Sequence, residues 1–171
     1  MTDYYAQLVQ MTKMLRALDG WLEKGRQHAE AAALDTNTLL QARLAPDMYT
    51  LSWQVQAACD GVKFLAARTS GRDAPVHPDG DEFTLEQLRT RIRAVLDYVA
   101  GFSAKDFEGA DQRVVPLSFI PGKGIRAADF MRELNVPNTY FHFSLAYAIL
   151  RHSGVNLGKV DFIGSLTLQD L

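Results

Sequence analysis

Two of the chain's four histidines, His142 and His152, fall in one apolar stretch, NTYFHFSLAYAILRHSG, residues 138–154. An imidazole on an apolar helix can ligate a metal, move a proton or satisfy a buried hydrogen bond. Asn138 and His142 are four residues apart and therefore share a helical face. His152 lies ten residues beyond His142, about 15 Å along a helix axis, too far to join the same ion. A histidine in a last helical turn is favoured by the helix dipole, which accounts for His152 without a ligand. The single thiol, Cys59, sits in an apolar run and reads as a small buried hydrophobe. One cysteine forms no internal disulfide, and a reducing cytoplasm suits it.

The absent motifs narrow the chemistry. A di-iron carboxylate centre needs Glu three residues before His, and none of His28, His77, His142 or His152 has it. The GKG at Gly122 lacks the rest of a phosphate loop and reads as a turn. There is no G-x-S-x-G, no H-E-x-x-H and no cysteine pair. Asp60 has Lys63 three residues on, the spacing of a surface pair. Tyr49 and Trp53 are four apart and, with Tyr140, Phe141, Phe143 and Tyr147, serve as core or as pocket walls.

Four helical periodicities must position these groups. The first runs from about Asp3 to Ala32, with Leu8, Met11, Leu15, Leu18 and Leu22 on one stripe. The second is predicted from Pro46, with Asp47 in its first turn and a stripe of Leu51, Val55, Ala58, Val62 and Leu65, stopped by Ser70-Gly71. The third opens on the capping pattern Thr84 to Gln87 and continues through Leu88, Ile92, Val95, Val99 and Phe102. The fourth starts beside Pro137 and ends where Gly154 takes a left-handed cap.

SGRDAPVHPDGDEF is long enough to carry the chain from one end of a bundle to the other. In the insert at 104–136, RVVPLSFI followed by PGKG predicts a small hairpin and RAADFMRELN one short helix. The tail at 155–171 packs across the bundle or onto a partner. The fold class is all-α: a four-helix bundle in a single domain, 1–171, with a long crossover between helices two and three.

Composition sets the class of partner. With 47% hydrophobic and 22% charged residues over 171 positions, the chain is an ordinary globular domain. A net charge of −2 and no basic stripe give no reason to expect nucleic acid or an anionic membrane. No stretch approaches the roughly 20 apolar residues of a spanning helix, and the N-terminus lacks the basic region of a secretory signal. The expectation is a soluble cytoplasmic protein with a small-molecule ligand, a homodimer being admissible.

The segments LAPDM (44–48), QVQAACD (54–60), PNTYFH (137–142) and YAILRHSGV (147–155) resemble the DinB/YfiT-like superfamily, in particular a branch of unknown function. That resemblance implies an up-down-down-up bundle. It also implies a divalent metal held by one histidine on helix two and two on helix four, in proteins that include thiol-dependent transferases and isomerases. Carried onto this sequence, the three positions are Gln54, Asn138 and His142. One imidazole and two amides are a poor donor set for zinc or nickel. The expectation is thus a hydrogen-bond network around His142 and no tight catalytic metal. The same topology brings His28, Asp47 and His152 toward one end of the bundle as a second polar cluster. The missing histidine favours a small-molecule-binding or structural protein. The alternatives are a metal-assisted, thiol-dependent transferase or hydrolase centred on His142, and a helical interaction module using the tail and the hairpin.

Overall fold

The computed structural model describes residues 3–81 and 83–170; Glu82 of the crossover and Leu171 of the tail lie outside these ranges. Helix α1 (Tyr4–Ala31) begins where the Asp3 carboxylate accepts the Ala6 N–H at 2.8 Å. Its whole leucine and methionine stripe is buried, and each such side chain contributes about 1.5–3 kcal/mol relative to exposure. A five-residue helix that the periodicity does not reveal, α2 (Thr36–Leu40), is capped by Asp35 and buries Leu39 and Leu40.

Helix α3 (Leu51–Ser70) starts later than expected. Thr50 is extended, and its hydroxyl accepts the Trp53 N–H, so the cap falls there. Pro46 instead occupies a turn closed by the Met48 N–H on the Ala45 carbonyl, where its fixed φ is equally at home. Asp47 is consequently an exposed turn residue and not part of a helix N-terminus. At the other end Gly71, with φ of +79°, forms the left-handed cap.

Helix α4 (Leu85–Ala100) opens with the expected reciprocal capping box between Thr84 and Gln87. Two 3-10 turns follow. Strands β1 (Val114–Pro116) and β2 (Gly124–Arg126) then pair antiparallel, Val115 opposite Ile125. RAADFMRELN is helical, but it is continuous with the fourth bundle helix. Helix α5 (Ala127–Asp129) runs into a π-helical segment, Phe130–Asn135, and that into α6 (Val136–His152). Pro137 supplies the reason for the wide turn, since its ring would collide with the carbonyl four residues back in a regular helix.

Side-chain pairs give the direction of each helix. Along α3 and α6, Gln54 meets His142 and Gly61 meets Asn135, so the two are antiparallel. Asp60 meets Arg91 while Arg72 lies over Phe102, so α3 and α4 are parallel, as the long crossover requires. Arg89 pairs with Asp19 and Glu23, while Leu96 and Val99 lie beside Leu8 and Thr12 nearer the start of α1, so α4 is antiparallel to α1. The bundle is up-down-down-up. The tail lies on α1: in α7 (Lys159–Ile163), Phe162 stacks on Trp21 and the Asp161 carbonyl accepts the Trp21 indole N–H at 2.9 Å. No helix among the described residues is long and apolar enough to cross a membrane.

Candidate functional site

Helices α3 and α6 form the tightest seam of the bundle. Gly61 permits it: a Cβ there would lie 2.7 Å from Thr139 Cγ2 and 2.8 Å from Thr139 Cβ. Thr139 turns its hydroxyl to the Asn135 carbonyl, and Asn135 donates to the Gly61 carbonyl at 2.9 Å. The Asn135 Oδ1 is buried and has no partner among the described residues.

His142 sits one turn along this seam. Gln54, 2% exposed, donates its Nε2 to the Tyr49 carbonyl at 3.3 Å, and its Oε1 lies 2.8 Å from His142 Nδ1. A carbonyl only accepts, so the Tyr49 oxygen dictates which way the amide points. Oε1 therefore faces the imidazole, and Nδ1 must carry a proton to donate. In neutral His142 the lone pair is then on Nε2, which has no partner among the described residues. Burial holds the His142 pKa below the ordinary histidine value, which favours that neutral form. The Phe141 ring lies edge-on to the imidazole, and Tyr49 stacks on Trp53 with centroids 4.9 Å apart. Tyr49 and Phe141 are 63% and 55% exposed, which puts aromatic surface beside a polar acceptor.

Asn138 is placed differently. It is exposed and shares no hydrogen bond with Gln54 or His142. The inward face of α6 runs through Thr139, Phe143 and Ala146. A four-residue step turns a helix about 40° past a full revolution, so His142 at the edge of that face and Asn138 outside it are compatible. With Gln54 Oε1 already engaged by Nδ1–H, the nearby donors fit a hydrogen-bond chain and do not fit a tight divalent site. Nor do any three His, Cys, Asp or Glu side chains among the described residues form a group able to hold an ion.

The second expected cluster is not joined by bonds among the described residues. The His28 ring lies against Gly154, where a Cβ would be 3.3 Å from Cε1 and Nε2, so α1 does reach the end of α6. His152 and Asp47 are exposed, and no hydrogen bond or ion pair links the three among the described residues.

A larger polar assembly escapes sequence reasoning. Lys63, expected on the surface, has a side chain only 3% exposed and pairs with Asp60 at 2.7 Å. Asp60 also takes Arg91 at 2.9 Å, and Arg91 extends to Asp79 and the Pro78 carbonyl. Gln56 holds the Gly80 backbone in both directions, and His77 Nδ1 lies 3.3 Å from the Lys63 ammonium. Together these bonds pin the crossover to α3 and α4. The signal was present: Arg91 falls three residues after Leu88, inside the apolar stripe. Cys59 is fully buried beside this assembly, and burial pushes its thiol up to about 12, so it behaves as a hydrophobe.

Comparison with known proteins agrees with the fold. No curated protein is detectably similar. A crystal structure of a DinB family member protein from Shewanella denitrificans superimposes with a TM-score of 0.91 at 41% identity, covering 96% of this chain and 93% of that one. The family model described as a domain of unknown function, DUF1993, matches residues 4–163. A helical bundle built on these side chains, with that match over nearly its whole length, belongs to the DUF1993 family and has the DinB fold.

Proposed function

We propose that this protein binds a small molecule at the mouth of the α3–α6 seam, using the Nε2 lone pair of neutral His142 as its polar anchor and holding no tight metal there. The observation that carries this is the chain from the Tyr49 carbonyl through Gln54 to His142, which fixes the imidazole as an Nε2 acceptor. The ligand class that fits is a flat molecule with an N–H or O–H donor, its ring lying against Tyr49, Trp53 or Phe141.

The test combines imidazole ¹⁵N NMR with titration of phenol and of anisole, in which a methyl replaces the donor proton. Phenol is expected to shift the His142 Nε2 resonance and anisole to leave it in place, with the phenol response lost in His142→Ala. An Nε2–H tautomer in the free protein would end this assignment. Elemental analysis of the untagged protein serves the metal-assisted alternative: near-stoichiometric metal that vanishes in His142→Ala would replace the binding role with an enzymatic one. Sedimentation of the same samples tests whether a second copy of the chain covers the aromatic surface instead.

A further inference from the structure

At the opposite end of α3 stands a cation that forms no ion pair among the described residues. The Arg68 guanidinium stands over the Phe64 ring at 4.4 Å and the Phe130 ring at 5.5 Å. Among the described residues it makes no hydrogen bond and no ion pair. Stacking uses the faces of a guanidinium and leaves its edge of N–H donors open. Half-burial disfavours its charge, and the field of Asp60 offsets this only in part, so an acceptor at its open edge would be favoured.

Arg68 lines two adjoining hollows, of about 420 and 720 Å³, between the end of α3 and the β1–β2 hairpin. Arg113 and Lys123 border them, and their side chains are likewise without hydrogen-bond partners among the described residues. The Arg113 Cζ would be only 2.9 Å from a Cβ on Gly71, so the guanidinium lies flat on the glycine cap. The fourth cation, Arg72, is committed to Asp106 and the Gly101 carbonyl. Among the described residues, Asp73 is the one acidic side chain in the lining. A protein of net charge −2 thus gathers positive charge at this place. The helix C-terminus accounts for a nearby cation in general. It does not account for Arg68, which bonds none of the terminal carbonyls.

We propose that this cleft binds a small organic carboxylate, its carboxylate on the open edge of Arg68 and its apolar body against Val114, Pro116 and Leu117. A planar, weakly hydrated guanidinium matches a carboxylate bidentately, and the hairpin side of the cleft is largely apolar in its residues. The site is independent of His142: Gln54 and Arg68 are fourteen residues apart on α3, about 21 Å of helix axis.

The experiment is amide NMR with benzoate, its neutral counterpart benzamide, and inorganic phosphate, on the wild type, Arg68→Met, Arg68→Lys and Arg113→Gln. Benzoate should shift residues 64–72 and 114–124 saturably. Arg68→Met should weaken it about tenfold or more, as should exchange of benzoate for benzamide, since a charged hydrogen-bond pair is lost in each. Arg68→Lys should recover part of the affinity. Arg113→Gln, at an exposed side chain whose N–H groups make no hydrogen bond among the described residues, should weaken benzoate severalfold and reads the site even if the Arg68 variants unfold. Equal binding of benzoate and benzamide, no saturable shift, or a wild-type response in Arg68→Met would overturn the proposal. Phosphate binding more tightly than benzoate would overturn the carboxylate assignment.

Discussion

Toward α4 and the crossover, α3 presents Gln56, Asp60 and Lys63, and each is met by a charged group or a backbone dipole. Toward α6 it presents Gln54 and Gly61, and there the partners are neutral, packing is at its limit, and Nε2 of His142 is left over. The first face is nearly saturated. Arg91 engages Asp60, Asp79 and the Pro78 carbonyl, and only its Nε lacks a partner among the described residues. Saturated polar groups hold a fold together, because an unmade bond in a buried place costs about 1–3 kcal/mol. Groups left open on a well-packed frame, such as His142 Nε2 and the edge of Arg68, are the ones free to recognise a ligand.

The sharpest way to break this contrast is Gly61→Ala. The new methyl would sit inside contact distance of three Thr139 side-chain atoms, and Thr139 is β-branched and cannot swing clear. A loss of about 3 kcal/mol is expected in urea or thermal denaturation. Gly20→Ala is the control, since nothing lies within 4 Å of a Cβ there; it should stabilise by about 0.5–1 kcal/mol through helix propensity. Equal effects of the two would mean that the α3–α6 seam is looser than described.

On the charged face, Arg91→Ala should cost about 2–3 kcal/mol. It removes the contact to Asp79 and the Pro78 carbonyl but leaves Asp60 with Lys63. Because Arg91 holds the crossover, amide exchange at residues 76–81 should accelerate more than exchange in α6. Uniform acceleration throughout the bundle would show that the network stabilises the core and not the crossover.

The smallest effect is one of pH. Desolvation first, then Lys63 and Arg91, lower the His77 pKa against the opposing pull of Asp60 and Asp79. A histidine whose folded value lies below its unfolded value of about 6.5 favours folding when neutral. Its stability contribution is complete above that value and is lost as pH falls through the window down to the folded pKa. NMR titration should find His77 titrating below the ordinary value, with a small decline in stability over the same range. A value raised above it would mean that Asp79 or Asp60, rather than Lys63, is its partner.

Much of the fold was legible along the chain. The α1 stripe, the Thr84 capping box, the Gly154 cap and the 114–126 hairpin depend on near neighbours in sequence, and local spacing reports them. The start of α3 differs from the spacing-based expectation because Pro46 suits a turn as well as a first helical residue. Within the site, His142 and Gln54 were legible as a pair and Asn138 was not, because 40° of helical rotation separates the edge of a buried face from solvent.

What the sequence alone determined was the set of four amphipathic helices, their order and the absence of common catalytic motifs, all of which follow from composition and short-range periodicity. Only the tertiary structure decided which polar groups find partners. Lys63 and Arg91 became buried because the crossover folds over them, and Arg68 was left open because no carboxylate closes an ion pair with it among the described residues. Whether a donor is satisfied depends on groups far away in the chain, and no local spacing carries that information.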